Sequence, residues 1–193
     1  MKTRLAMFDL DGTLFDTRRV NWLSYREALA PFGVDLDYGY FCRECNGKHY
    51  KAFVPGLLAA AGNAAETLAE KAEAVHERKK ALYGSFLSES VENTQLFNLI
   101  QLMKESYYIA LVTTASRKNC REILAFHGRE GDFDLILTAE DVERKKPDPQ
   151  GFLMAMEHFN IGGADSLVFE DSAEGLAAAE ASGATVFAAR GFA

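Results

Sequence analysis

The sequence predicts a doubly wound α/β fold, a parallel-sheet core interrupted by an all-helical insertion. Three observations predict it. Short β-rich apolar runs at 4–10, 107–112, 133–137, 166–169 and 184–188 alternate with helical patterns at about 95–105, 117–127, 149–159 and 173–182. Strands that alternate with helices build parallel sheets with crossover connections. A helix-patterned stretch from about 17 to 92 breaks that rhythm after the first strand. Finally, chemically capable polar residues fall where the apolar runs end, and open parallel sheets bind ligands at the carboxyl ends of their strands.

Each element has its own signal. Residues 4–10 alternate weakly and run into an acidic loop. Residues 20–30 carry Trp22, Leu23, Ala28 and Leu29 at helical spacing, and Pro31-Phe32-Gly33 breaks the pattern. Residues 48–61 and 65–87 read as helices. The stretch 65–80 is rich in Ala, Glu and Lys, which favour helix, and its charged face reads as solvated surface. Tyr107-Tyr108-Ile109-Ala110-Leu111-Val112 is β-rich and ends in Thr113-Thr114, while Ser166-Leu167-Val168-Phe169 ends in Glu170-Asp171. The division that follows is a core of residues 1–17 and 93–193 and a helical lid of residues 18–92.

Composition narrows the function. A chain of 193 residues holds one large domain or a core with a small insertion. A net charge of −7 leaves no basic stripe to meet phosphate backbones, which argues against nucleic acid as a partner. No apolar run approaches the roughly 18–20 residues needed to cross a bilayer, so no membrane partner is expected. The start of the chain lacks the apolar stretch and cleavage site of a signal peptide. Cys42, Cys45 and Cys120 are an odd number of thiols, read as reduced in a cytoplasmic protein. Cys42 and Cys45 with His49 could suggest zinc or a redox pair, but no second half of a four-ligand site is visible, and inert packing thiols explain them. His76, His127 and His158 read as surface or packing residues.

The chemistry concentrates in Met7-Phe8-Asp9-Leu10-Asp11-Gly12-Thr13. Residues i and i+2 of an extended chain point the same way, so Asp9 and Asp11 stand near one site. Two carboxylates that close repel unless a cation or a shared proton compensates. Thr113 and Thr114 follow the second strand, Lys145 and Lys146 precede Pro147-Asp148-Pro149 after the third, and Glu170 and Asp171 follow the fourth. Each position alone could be a helix cap. Four coincident strand ends with acid, hydroxyl, lysine and acid chemistry are harder to assign to caps.

This combination resembles the haloacid dehalogenase-like superfamily, in its phosphatase and phosphoglucomutase-like branch with a small helical cap. The resemblance rests on Asp9-Leu10-Asp11-Gly12-Thr13, Thr113, Lys146 in Lys-Pro-Asp-Pro, and Glu170-Asp171-Ser172 followed by Gly175. It implies a Rossmann-like core. It also implies a Mg²⁺-dependent phosphatase of a small phosphorylated metabolite, with Asp9 attacking phosphorus to form an aspartyl-phosphate. Asp11 would serve as acid and then base. Mg²⁺ would be held by the Asp9 carboxylate, the Asp11 carbonyl and Asp171, with Glu170 close by. Lys146 and Thr113 would stabilise the nucleophile and the transferring oxygens. Gly12 and the amides after it would let the backbone approach the phosphate.

Departures from the family's patterns narrow the reading further. Dehalogenases of the superfamily lack the second aspartate, so Asp11 argues against halide displacement. Sugar phosphomutases with this cap carry a His where this chain has Asn21, which weakens the phosphomutase alternative. Phosphonoacetaldehyde hydrolases use an early cap Lys as a Schiff base, where this chain has Arg18 and Arg19. A binding protein that kept the fold without catalysis is the alternative from another class. In the cap, Asn46-Gly47-Lys48-His49-Tyr50 resembles the family's specificity loop, or is an ordinary turn. Asn21, Lys48, His49 and Thr114 are the candidate substrate contacts. A sheet edge near 184–188 gives a hint of association, so a monomer or weak homodimer is expected.

Overall fold

The structure is a computed structural model describing residues 2–190 and Phe192. In chain order the elements are β1 (Arg4–Phe8), β2 (Phe15–Asp16), α1 (Arg18–Leu29), α2 (Tyr38–Tyr40), α3 (Val54–Ala60), α4 (Leu68–Leu82), β3 (Val91–Glu92), α5 (Thr94–Met103), β4 (Tyr107–Val112), α6 (Arg117–Phe126), β5 (Leu135–Leu137), α7 (Gln150–Phe159), β6 (Ser166–Glu170), α8 (Ala173–Ala181) and β7 (Thr185–Ala188). They form two compact units, Met1–Asp16 with Val91–Ala193, and Thr17–Ser90.

The first unit is the doubly wound sheet that the alternation predicts. Its five strands lie in the order β5-β4-β1-β6-β7, every pair parallel. The central strands are buried on both faces, which explains their near-continuous apolar sequence. On one face Leu5, Met7, Ala110, Val112 and Val168 pack with Phe152, Ala155 and Met156 of α7 and Ala178 and Ala179 of α8. On the other, Ala6, Phe8, Ile109 and Leu111 are fully buried, as are Phe97 and Ile100 of α5 and Ile123 and Leu124 of α6. Strand β1 pairs with β4 on one side and β6 on the other, so the strand order reverses at β1. Such a reversal opens a crevice beyond the strand ends, and the Asp9 loop leads out of it.

The second unit closes its own core around Tyr25, Leu29, Phe41, Val54, Leu58 and Val75. Trp22 Nε1 donates to the Leu36 carbonyl at 2.8 Å, which fastens the chain after α1 back onto that helix.

Local structure departs from the sequence expectation in identifiable places. The first strand stops at Phe8 instead of Leu10, because the Leu10 carbonyl accepts from the amides of both Leu14 and Phe15 and turns the chain. Glu170 lies inside β6, not after it. The 48–61 helix is a 3₁₀ turn at Tyr50–Ala52 followed by α3, which restarts with Pro55 in its first turn. The 65–87 helix is α4 flanked by 3₁₀ turns. Helical structure over 38–45 was not expected. It starts where the Asp37 side chain accepts from the Tyr40 amide, and it ends as a π turn over Phe41–Cys45. The antiparallel ribbon of β2 and β3 has two residues per strand, too few for periodicity to reveal. Lys79, on the face of α4 expected to be solvated, is 9% exposed and lies over the rings of Tyr25 and Tyr83.

Candidate active site

Asp9 leaves β1 at the switch in strand order. Its amide donates to the Phe169 carbonyl at 3.0 Å, which fixes the residue one step past the strand and leaves it 6% exposed. Lys146 reaches it from the loop before α7. The Lys146 Nζ lies 2.6 Å from Asp9 Oδ1, 2.6 Å from Glu170 Oε1 and 2.9 Å from the Val112 carbonyl, so all three ammonium protons have acceptors. Glu170 is aimed by its other oxygen, which accepts from the amide and the hydroxyl of Ser172. A Cβ at Gly175 would stand 1.9 Å from Glu170 Oε1, so α8 can begin against this carboxylate only with glycine there.

The loop after Asp9 is tightly constrained. Gly12 has φ +91° and its amide donates to the Phe15 carbonyl at 2.8 Å. Asp11 forms an isolated bridge with Phe15. Thr13 is fully buried, and its Oγ1 donates to Asp171 Oδ1 at 2.9 Å. A Cβ on Gly12 would fall 2.1 Å from Asp171 Oδ2. The glycine therefore serves the approach of Asp171 as well as the turn.

The structure brings Asp9, Lys146, Glu170, Asp171 and Gly12 to one place. Thr113 follows β4 in the same crevice and is 5% exposed. Its amide donates to the Leu137 carbonyl and its Oγ1 accepts from the Ala115 amide, so the hydroxyl proton is directed elsewhere. Thr114, next in the chain, is exposed. None of these residues caps a helix with its side chain. Ser116 caps α6 and Ser172 caps α8, which removes the capping alternative for the strand-end acids and threonines. Asn21, Lys48 and His49 belong to the second unit. There Asn21 Nδ2 donates to Thr17 Oγ1 at 3.0 Å, Lys48 lies 3.9 Å from Glu44, and His49 Nδ1 accepts from the Lys51 amide.

Two contributions escaped the sequence reading. Thr13 was singled out only as part of the Asp9–Thr13 motif, and its role is to hold Asp171. Asn93 donates from Nδ2 to the Thr13 carbonyl at 3.1 Å, and its amide donates to the Leu14 carbonyl at 2.9 Å. That link spans 80 residues, and nothing local in the sequence announces it.

The electrostatics are short of positive charge. One ammonium serves two buried carboxylates, and burial pushes Asp9 up to about 8, with Lys146 opposing and Glu170 and Asp11 adding to the rise. Burial, with Glu170 and Asp11, likewise lifts Asp171 to about 6 against the Thr13 hydrogen bond. Burial lowers Lys146, but Asp9 and Glu170 outweigh it and hold the ammonium above its ordinary range. Carboxylate oxygens of Asp9, Glu170 and Asp171 lie within 4.8 Å of one another. An all-oxygen set with surplus negative charge suits a hard divalent cation.

Comparison with known proteins settles the family. The model of the haloacid dehalogenase-like hydrolases matches residues 6–189. The chain belongs to that family. Among the relatives of this haloacid dehalogenase-like hydrolase is a phosphorylated carbohydrates phosphatase of Thermotoga maritima, 28% identical over 92% of this chain and 81% of that protein. Protein CbbY of Rhodobacter capsulatus is 30% identical over 96% of this chain and 85% of its own. A crystal structure of a predicted phosphoglycolate phosphatase from Haemophilus somnus shares the fold, with a TM-score of 0.85, 22% identity, and coverage of 97% of this chain and 85% of that one.

Proposed function

We propose that this hydrolase releases phosphate from a small phosphorylated metabolite of the sugar-phosphate class, with Mg²⁺ and through an aspartyl-phosphate on Asp9. The observation that carries the reading is the buried Asp9 carboxylate held 2.6 Å from Lys146 Nζ beside Glu170 and Asp171. A carboxylate fixed at a strand end, with an ammonium on one oxygen, is oriented to attack with the other. The substrate class is supported by the T. maritima relative, whose name specifies phosphorylated carbohydrates.

In this reading the residues divide the work. Asp9 binds phosphorus covalently, and the phosphoryl group then passes to water. Asp11, two residues on, gives a proton to the leaving oxygen and takes one back from the incoming water. Lys146 holds Asp9 and meets the transferring oxygens as a point charge. The turn at Gly12 and the Thr113 region are proposed to line the phosphate site, although the Gly12, Leu14 and Phe15 amides are engaged by the Phe15 and Leu10 carbonyls, and Thr114, Asn21, Lys48 and His49 are proposed to meet the rest of the substrate. The Asp9, Glu170 and Asp171 carboxylates, with the Asp11 carbonyl, would hold the cation. When bound, it would neutralise charge between the carboxylate nucleophile and the anionic phosphoryl group.

Phosphate release from a panel of phosphorylated sugars, with and without Mg²⁺, tests the proposal. At least one member should yield inorganic phosphate in a Mg²⁺-dependent way, and Asp9→Asn should abolish the release. Isomerised sugar phosphate without phosphate release would indicate a phosphomutase instead. Undiminished turnover by Asp9→Asn would overturn the nucleophile assignment.

A further inference from the structure

The loop that carries Asp11 is held from behind by a cluster that lies outside the acidic site. Glu92, in β3, pairs across the short ribbon with Phe15 of β2, and Phe15 is the residue whose carbonyl takes the Gly12 amide and which bridges Asp11. Arg129, just after α6, grips Glu92 with two donors. Its Nε lies 2.9 Å from Glu92 Oε2 and its terminal nitrogen 2.5 Å from Glu92 Oε1. The guanidinium lies over Phe97, 4.4 Å from the ring centre, and Phe97 packs against Phe15. His127 covers Phe15 from another side at 4.8 Å. Next to Glu92, Asn93 holds the Thr13 and Leu14 carbonyls, while its Oδ1 caps α5 by accepting from the Leu96 amide.

Most exposed ion pairs contribute little, but this one is bidentate, stacked and partly buried, with side chains 27% and 17% exposed. It ties a two-residue ribbon, too short to be stable by itself, to the end of α6. We infer that the Glu92–Arg129 pair and Asn93 are positioning residues for Asp11, fixing through the β2–β3 ribbon the loop from which Asp11 delivers its proton. The inference rests on the phosphatase reading above. A shift of about 1 Å in a catalytic group costs on the order of 10²-fold in rate, so a loosened ribbon should matter even though none of these residues touches substrate.

The test compares two esters whose leaving groups differ in their need for a proton. A dinitrophenolate leaves 2,4-dinitrophenyl phosphate unaided, whereas the alkoxide of a hexose phosphate requires the acid. Arg129→Met and Glu92→Gln should lower kcat/KM on the hexose phosphate by roughly 10-fold or more, since kcat/KM reports the acid-assisted transfer to Asp9 and a positioned acid supplies about 10²–10⁴-fold. The same variants should stay within about threefold of wild type in kcat/KM on the dinitrophenyl ester, a comparison free of the later attack of water that uses Asp11 as base. Arg129→Lys, which keeps the charge and loses the fork, should fall between. Should Arg129→Met fail to fold, the near-isosteric Glu92→Gln and Arg129→Lys carry the comparison. Equal losses of kcat/KM on both esters, or no loss on either, would overturn the positioning role while leaving the phosphatase reading intact. A wild-type enzyme inactive on both esters would overturn the phosphatase reading and this inference with it.

Discussion

Lys146 and Asp9, 137 residues apart in the chain, meet at 2.6 Å in the crevice where the strand order reverses. The Lys146 side chain is 8% exposed and its ammonium also carries Glu170, so its removal would strand two buried carboxylates. Breaking a buried pair by deleting one partner costs about 3–5 kcal/mol. Lys146→Met should therefore lose stability of that order in urea unfolding and lose phosphate release as well. Lys146→Arg should not restore activity, because a planar fork cannot replace a compact ammonium shared by three acceptors.

Gly12 is doubly constrained. Its φ of +91° disfavours any side chain, and the Cβ would collide with Asp171. Gly12→Ala should cost about 1–3 kcal/mol in thermal unfolding and reduce turnover by displacing Asp171. A variant as stable and as active as wild type would show that Asp171 sits elsewhere.

Metal dependence should follow the acidic set. Chelation should abolish phosphate release and added Mg²⁺ should restore it. Asp171→Asn should raise the Mg²⁺ concentration for half-maximal rate by more than the roughly 10-fold that loss of an outer-shell partner costs. An unchanged Mg²⁺ requirement would remove Asp171 from the ligand set.

His76 in the second unit gives a pH signature. It stacks on Tyr50 with ring centres 4.0 Å apart and lies 3.4 Å from the Tyr25 hydroxyl. Burial, then Lys79 and Lys80, push it down from 6.5 to about 4. The unfolded chain thus takes a proton that the folded protein resists. The stability due to neutral His76 is complete above 6.5 and is lost as pH falls toward 4. Melting temperatures of His76→Phe should decline less steeply than those of wild type across that window, and superimposable profiles would refute the assignment.

The strand-and-helix alternation made the sheet and its helices legible, because buried parallel strands are apolar throughout and sit between amphipathic helices. The acidic strand ends were legible for the same reason, since Asp9 and Glu170-Asp171 follow apolar runs, and their coincidence at several strand ends outweighed the capping alternative. What stayed hidden depended on distant partners. The β2–β3 ribbon has no periodicity, and Asn93 reveals itself only through Thr13. Lys79 looked like one more charge on a solvated helix, but its ammonium lies over the rings of Tyr25 and Tyr83. The helical turns at 38–45 were hidden by Gly39 and the aromatic residues around it, which are weak helix formers. Their start is set by one cap, Asp37.

The central claim is that Asp9 is the nucleophile, and covalent trapping tests it most directly. Enzyme quenched in acid during turnover of a phosphate ester, reduced with borohydride and mapped by mass spectrometry, should carry homoserine at position 9 and an unchanged Asp11. A reduced residue at any other position, or none despite rapid turnover and an observed burst, would contradict the account.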